Sequence, residues 1–228
     1  MSEKFEIQII GHIYNDYKEK FGIPRQSGLV NSVISKITFE QEFSSYAFFK
    51  GIENFTHIWL LWQFSETVGK NITPTVRPPK LGGNKRVGVF STRSPFRPNN
   101  IGLSSVKIER IEQDDKYGTI LYVSGADLMN GTPIIDIKPY LPYTDCHNYA
   151  SNGFALDDTD GLLQVKFTDD IFSKIPANKI NGLIDTLKHD PRPSYHDDDK
   201  IYGMSYGELQ VKFTVQNNEL RITEIIEK

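Results

Sequence analysis

Short apolar segments with the two-residue period of half-buried strands recur through the first 145 residues. They predict strands at 5–13, 32–39, 104–111, 119–124 and 131–137, and the polar turn 113–118 predicts a hairpin between the third and fourth of them. Residues 55–64 are apolar without alternation, which predicts a central strand buried on both faces. Residues 44–52 have the length of a helix with a serine N-cap. Many short strands and few helices indicate a mainly β fold, a barrel or closed sheet.

The hydrophobic pattern changes between residues 145 and 160, where no periodicity is left. We place a domain boundary there, which gives predicted domains at 1–150 and 151–228. The second domain has predicted strands at 162–167, 209–215 and 220–226, the last two joined by an Asn217-Asn218 turn. Apolar residues at i, i+3, i+4 and i+7 predict a helix at 177–189, opened by Pro176. The sequence therefore predicts a small α/β C-terminal domain behind a β-barrel.

The loop at 77–103 differs from the rest of the chain in composition. It has six lysines and arginines, no acidic residue, four prolines and four glycines. Prolines fix φ near −65°, so this composition predicts ordered loops around one short strand at 87–90 rather than a disordered tail. Rigid cationic loops suit the binding of carboxylate or phosphate groups. A solvated basic surface loop is the alternative.

Net charge and cysteine content limit the class of protein. The net charge of −3 argues against an overall nucleic-acid-binding coat, although a local basic face on an acidic protein can still dock a polyanion. Cys146 is the only cysteine, so no intrachain disulfide can form and a reducing compartment fits. The N-terminus is charged where a signal peptide would be apolar, and no apolar run is long enough to span a bilayer. These features are typical of a soluble cytoplasmic protein without a membrane partner.

Several standard signatures are missing from the sequence. It has no G-x-G-x-x-G, no G-x-x-x-x-G-K-[ST], no H-E-x-x-H and no C-x-x-C, which argues against a Rossmann-type cofactor site and a zinc site. The five histidines show no ligand spacing, and we expect no metal. The acidic segment 157–161 has only part of a calcium-loop pattern and is interpreted as a solvated turn.

Three polar clusters remain as candidates for chemistry, at 24–26, 91–99 and 127–133. The third leads into Asp136, Lys138 and Tyr140, which an extended backbone presents on one face at i, i+2 and i+4. An acid, an amine and a phenol together can bind a polar substrate or move a proton. From spacing alone, a polar outer face on an edge strand is equally good.

Long motifs favour the first interpretation. The segments STRSPFRPNNIGLS and NGTPIIDIKPYLPY closely resemble the signatures of the TsaA-like (TrmO) family, and IGHIYNDYKEKFGIPRQSG and HDPRPSYHDDDKIYGM resemble its other landmarks. Members of this family are tRNA methyltransferases that use S-adenosylmethionine. They methylate N6 of threonylcarbamoyladenosine at tRNA position 37. The resemblance implies a β-barrel methyltransferase, usually dimeric, with a small C-terminal domain.

The resemblance also implies roles for individual residues. Arg93 would bind the carboxylate of the methyl donor, and Leu103, Leu128 and Met129 would form the wall around its adenine. The full cofactor set carried over is Pro24, Arg25, Gln26, Ser65, Glu66, Arg93, Leu103, Asp127, Leu128, Met129 and Asn130. Asp136 or Tyr140 could act as general base. Candidates for contact with tRNA are Arg97, Lys138 and Arg192, supported by Lys80, Lys85 and Arg86.

The sequence departs from the family pattern at two places. The family commonly has proline where this chain has Asn100, which would loosen one φ angle, and His-Gln where it has Ser65-Glu66, which could change how the donor is held. Two rival functions also remain. One is a non-catalytic RNA-binding barrel, which shares the basic loop and exposed aromatic residues. The other is a methyltransferase that uses the same barrel on another substrate.

Overall fold

The computed structural model describes residues 3–78, 81–155, 161–192 and 200–228. Its first half is a closed, entirely antiparallel barrel of six strands in the order β1-β2-β7-β6-β3-β8, in which β8 pairs back with β1. The barrel strands are β1 Gly11–Tyr14, β2 Ile34–Phe39, β3 His57–Gln63, β6 Ile101–Asp114, β7 Gly118–Ser124 and β8 Thr132–Pro139. Closure leaves no strand edge unpaired around the ring. The predicted mainly β fold with a barrel is confirmed.

Shorter elements lie around and after the barrel. Between β3 and β6 in the sequence, β4 Thr75–Val76 and β5 Val87–Gly88 form a separate two-stranded sheet. Helix α1 spans Pro142–Asp145. The second half is a four-stranded sheet in the order β10-β11-β12-β9, with helices α2 and α3. Its elements are β9 Gln164–Lys166, α2 Asp169–Ser173, α3 Ile180–Lys188, β10 Tyr202–Tyr206, β11 Leu209–Gln216 and β12 Glu219–Glu227.

The interior of the barrel forms one hydrophobic core, because inward positions alternate along its strands. In β3 the inward residues are Ile58, Leu60 and Trp62, all buried, while the residues between them are half-exposed. The prediction that this strand is buried on both faces was therefore wrong. The outer side of a single barrel faces solvent, and the bulky outward residues of β3 hide the alternation in the sequence.

Three further predictions of local structure were wrong in whole or in part. Residues 44–52 form no α-helix but two 3₁₀ turns, Tyr46–Phe48 and Ile52–Asn54, separated by Gly51 at φ +96°. That left-handed residue ends any continuous helix. The strand predicted at 5–13 begins only at Gly11, and the one predicted at 87–90 is reduced to two residues followed by a 3₁₀ turn.

A second hydrophobic core lies between the C-terminal sheet and its helices, and it includes residues from the N-terminal half. Tyr17, Val30 and Val33 are all at most 4% exposed within this cluster, beside buried residues of β10–β12 such as Phe213. The backbone joins the two halves as well, because the Gly207 amide donates to the Asp16 carbonyl at 2.8 Å. The long loop between β1 and β2 is thus sandwiched between the barrel and the C-terminal sheet. The division at residue 150 stays a prediction.

Candidate functional site

The predicted cofactor residues lie at one end of the barrel, which we call the upper rim. At this end β3 finishes beside the start of β6, as the pair Gln63–Ile101 shows, and β7 finishes beside the start of β2. The segments that follow or precede these strand ends carry residues 24–26, 65–66, 93 and 127–130. Side chains widely separated in sequence therefore share the upper rim because of the barrel's strand order.

Contacts between these loops define the rim. The Arg93 guanidinium donates a hydrogen bond to the Gln26 side-chain oxygen. Lys20 forms an ion pair with Glu66 at 3.7 Å, which joins the β1–β2 loop to the end of β3. The Gly28 amide donates to the Gly125 carbonyl at 2.8 Å and ties the same loop to the segment after β7. The three polar segments predicted to bind the cofactor are thus linked to one another.

Asp127 is the most buried charged group of this set. Its side chain accepts a hydrogen bond from the Ser104 hydroxyl at 2.5 Å. Burial raises the pKa of the Asp127 carboxyl above its ordinary value, while the Ser104 hydroxyl, backbone amides of Asp127 and Ser27, and the charge of Arg93 oppose that rise. A partly desolvated carboxylate is costly without a charge partner, so this group is suited to receiving a cationic ligand.

Sequence reasoning missed Ser104 and Trp62, which connect to Asp127. The Trp62 indole N–H donates to the Ser104 hydroxyl at 3.0 Å. Ser104 is 1% exposed and Trp62 is 7% exposed, so both lie inside the barrel just below the rim. No local motif marks them, since the contact depends on β3, β6 and the end of β7 being adjacent.

Asn15 was also missed, and it fixes the segment 127–130 from the other side. Its amide nitrogen donates to the Leu128 carbonyl at 3.0 Å, and its own backbone N–H donates to the Asn130 side chain at 3.0 Å. Because Asn15 is 9% exposed, these bonds are shielded from water. The candidate loop 127–130 is therefore held rigidly against β1.

Not every residue carried over by resemblance presents its side chain to the rim. Leu128 is fully buried in the barrel core, so only its backbone can reach a ligand, whereas Met129 is half-buried. Leu103 is 55% exposed and points outward from β6. Pro24 is buried, and Arg25 is exposed and donates to the Arg192 carbonyl at 2.8 Å. Their roles toward the cofactor stay predictions.

The candidate general bases lie on the outer wall of the barrel. Leu103, Leu61 and Asp136 form one row across β6, β3 and β8. With neighbouring strands ~4.8 Å apart, Asp136 lies about 10 Å from Leu103. Asp136 pairs with Lys138 at 2.8 Å, as expected for residues on one face of a strand.

Tyr140 lies further along the same wall, where its ring packs against Trp59 with centroids 5.3 Å apart. Burial, followed by the neighbouring Cys146 and Asp145, raises the pKa of Tyr140. The phenol therefore keeps its proton at neutral pH, which makes it a poorer base than Asp136.

The predicted tRNA contacts are placed differently from one another. Arg97 is half-buried and donates to the Thr92 carbonyl at 3.1 Å, and Lys138 is held by Asp136. The Arg192 side chain is 12% exposed and pairs with Asp190 at 2.9 Å. Lys85 and Arg86 are exposed, and the Arg86 guanidinium donates to the Thr75 hydroxyl at 2.8 Å. Lys80, the acidic segment 157–160 and residues 193–199 of the motif after Asp190 lie outside the described residues.

Asn100 does not loosen the loop as the sequence suggested. It has φ +46°, a left-handed conformation that proline cannot adopt. Its side-chain amide donates to the Pro95 carbonyl at 2.8 Å and to the Thr67 hydroxyl at 3.0 Å. Asparagine tolerates this conformation better than most residues, and its two hydrogen bonds brace the loop that carries Arg93.

A cavity of about 520 Å³ lies away from the upper rim, where β8 continues past the start of β1 at Gly11. It is lined mainly by apolar side chains, among them Phe39, Phe49 and Ile137, together with Asp136. Within the described ranges, no three His, Cys, Asp or Glu side chains are grouped as metal ligands. In the same part of the chain no helix is both long and apolar enough to cross a membrane.

Comparison with known proteins agrees with this architecture. The family model of the tRNA-methyltransferase O N-terminal domain matches residues 12–146, and that of the TrmO C-terminal domain matches residues 160–228. The tRNA (adenine(37)-N6)-methyltransferase of Escherichia coli (strain K12) is 36% identical over 220 residues, which cover 92% of this chain and 93% of that protein. The protein of the same name from Eikenella corrodens is 42% identical over 76% of this chain and 98% of its own.

A solved structure extends the agreement to three dimensions. The crystal structure of TrmO from Pseudomonas aeruginosa superimposes with a TM-score of 0.79 at 28% identity, over 98% of this chain and all of that one. The closed barrel and the loops gathered at its upper rim define a protein of the β-barrel methyltransferase class. The chain belongs to the tRNA-methyltransferase O family, and the resemblance noted in its sequence motifs is confirmed.

Proposed function

We propose that this protein transfers a methyl group from S-adenosylmethionine to N6 of threonylcarbamoyladenosine at position 37 of tRNA, in the cytoplasm. The observation that carries the proposal is the upper rim, where Arg93, Gln26 and the half-buried Asp127 carboxylate come together. Support also comes from curated relatives named as tRNA (adenine(37)-N6)-methyltransferases and as putative S-adenosylmethionine-dependent methyltransferases.

The residues of the rim fit this methyl donor. Its amino-acid end needs donors for a carboxylate, which the exposed Arg93 guanidinium offers, and its cationic part needs negative charge, which Asp127 offers. The donor supplies an activated methyl group on a positively charged sulfur. Because transfer removes that charge, a site that stabilised it fully would oppose the reaction. The partial compensation of Asp127 by Arg93 meets this requirement.

The acceptor nitrogen needs positioning and loss of its proton. The carbamoyl group withdraws electron density, which makes the nitrogen a poor nucleophile but its proton more acidic. In-line positioning contributes up to ~7–11 kcal/mol in well-oriented reactions, and a general base adds ~10²–10⁴-fold. We assign the base to Asp136, because it lies in one row with Leu103 on the outer wall and because Tyr140 keeps its proton.

We assign recognition of tRNA to exposed cations, of which Lys138 lies on this wall. The exposed Lys85, Arg86 and Lys138 would contact phosphates, and anticodon-loop bases would be splayed out toward the wall. Arg97 and Arg192, with less exposed side chains, would contribute through the loops they hold. We further propose that the protein works as a homodimer, as its family resemblance implies, and light scattering after size-exclusion chromatography tests this.

The deciding experiment is mass spectrometry of anticodon-loop nucleosides. Purified protein is incubated with isotopically labelled S-adenosylmethionine and with tRNA from cells that lack it. One labelled methyl group on threonylcarbamoyladenosine is expected in this reaction. In tRNA from cells without the protein, the methylated form of this nucleoside should be missing. Binding of tRNA without methyl transfer would point to the non-catalytic RNA-binding barrel. Labelling of another nucleoside or of a small metabolite would point to a different substrate.

A further inference from the structure

We infer that Ser104 and Trp62 are positioning residues for the methyl-donor site, which hold the Asp127 side chain in one orientation and in its carboxylate form. This inference rests on the proposed function, because it assigns Asp127 to donor binding. Ser104 is 1% exposed and Trp62 is 7% exposed, so we assign their action to contact with Asp127 and not to contact with the donor.

The direction of the hydrogen bonds carries the inference. An indole N–H can only donate, so the Trp62 side chain occupies a lone pair of the Ser104 oxygen at 3.0 Å. The single hydroxyl hydrogen of Ser104 is then directed to the Asp127 carboxylate, at 2.5 Å. A hydrogen bond in that direction favours the ionised acid. Trp62 therefore takes one of the two lone pairs of the Ser104 oxygen and favours the orientation in which the Ser104 hydrogen is donated to Asp127.

The surrounding barrel makes this arrangement rigid. Ser104 lies on β6, Trp62 on the neighbouring strand β3, and Asp127 just after β7, which is the other neighbour of β6. The Trp62 indole lies over Gly102, where a Cβ atom would be only 2.3 Å from the ring. Since Ser104 is 1% exposed, water has no ready access to replace its hydroxyl.

The groups that face Asp127 determine how it titrates. Arg93 and the Ser27 amide favour its carboxylate, and burial opposes it. Tyr17 also lies near enough to sense its charge, but burial raises the pKa of Tyr17 far above neutral, so that phenol stays uncharged. Loss of the Ser104 hydroxyl must therefore raise the pKa of Asp127 further. If the carboxylate form binds the donor, affinity falls as pH drops through that pKa, and the fall begins at a higher pH in the variant.

The test compares Ser104→Ala and Trp62→Phe with wild type in two measurements. The first is a carbon NMR titration of the Asp127 carboxyl in the unliganded protein, and the second is the dissociation constant of S-adenosylmethionine as a function of pH, by calorimetry. We expect the Asp127 midpoint to rise by about one unit in Ser104→Ala, which is a tenfold change in the equilibrium between its two forms. A smaller rise is expected in Trp62→Phe, because this variant keeps the Ser104 hydroxyl but leaves it free to turn away from Asp127. The donor-binding profile should move by the same amounts.

Thr119→Val is the matched control, since Thr119 is an equally buried β7 hydroxyl near the far end of the barrel, and both titrations should stay at wild-type values. A wild-type Asp127 titration in both variants overturns the inference even where donor binding is intact. If the wild-type protein binds no donor, the proposed function is overturned instead. The NMR titration then still decides whether Ser104 and Trp62 keep Asp127 ionised. Should Ser104→Ala fail to fold, Trp62→Phe decides.

Discussion

Replacement of Gly102 by alanine should disturb the rim from below. A Cβ at this position would lie 2.3, 2.4 and 2.6 Å from three atoms of the Trp62 indole. Ordinary contact begins near 3.4 Å, so the ring must move by about 1 Å. Movement of that size would lengthen the 3.0 Å bond between Trp62 and Ser104 beyond hydrogen-bonding distance.

The magnitude follows from two costs. Overpacking in a closed core costs ~1–3 kcal/mol, and the lost hydrogen bond adds ~0.5–1.5 kcal/mol. The free energy of unfolding should therefore fall by roughly 2–4 kcal/mol. For a domain of this size each kcal/mol lowers Tm by ~2–4 °C, which predicts a drop of roughly 4–16 °C.

The assay is thermal unfolding followed by circular dichroism, with tryptophan fluorescence as a second signal for the displaced indole. Gly88→Ala serves as control, because Gly88 has φ −57° and its nearest neighbour to a new Cβ is 3.9 Å away. A Gly102→Ala protein that melts with wild type and keeps its fluorescence would show that the barrel interior has room beside Trp62, contrary to this reasoning.

Four further changes test other parts of the molecule. Arg93→Gln should weaken donor binding measured by calorimetry roughly 10–100-fold, because a hydrogen bond to a charged group is worth ~1.5–3 kcal/mol; unchanged affinity would remove Arg93 from the site. Arg86→Glu should weaken tRNA binding and reduce its salt slope by ~1 while donor affinity is kept; equal loss of both would contradict that division of roles. Tyr17→Ala should cost ~3–5 kcal/mol in urea unfolding, as for other buried aromatic residues, and Tyr17→Phe about 1 kcal/mol or less. Asn100→Pro should destabilise by more than ~1 kcal/mol, and by more than Asn100→Gly, because its φ of +46° excludes proline.

Local pattern was sufficient for elements whose two faces differ. The hairpin of β6 and β7 and the strands β11 and β12 were predicted because polar and apolar residues alternate along them. Strand β10 was missed because its sequence, YGMSY, contains a glycine and a serine where packing supplies the stability. The helix predicted at 44–52 is absent because Gly51 adopts a positive φ where the turn Ile52–Asn54 begins, and the spacing of apolar residues does not reveal such a turn.

For the candidate site, too, the sequence reveals local motifs but not contacts between residues far apart in the chain. Candidates such as Arg93, which lies in the motif STRSPFRPNNIGLS, and Asp127, which lies just before NGTPIIDIKPYLPY, could be named from the sequence, and their roles toward the donor stay predictions. Ser104 could not, because its contact with Trp62 spans 42 positions and its contact with Asp127 spans 23, and only the order of strands in the barrel makes them neighbours. Asn15, whose amide reaches a carbonyl 113 positions away, escaped for the same reason.

The position of the loop between β1 and β2, in contact with both the barrel and the C-terminal sheet, determines the order in which parts of the protein can fold during synthesis. Tyr17, Val30 and Val33 are made early, yet many of the residues that pack with them, such as Phe213, come from β10–β12, which are made much later. Until those strands emerge, the nascent protein carries an uncovered apolar segment next to a finished or nearly finished barrel, a species open to chaperones and to premature association. Maturation of the segment that bears Gln26 therefore waits until β10–β12 have been synthesised and have left the ribosome.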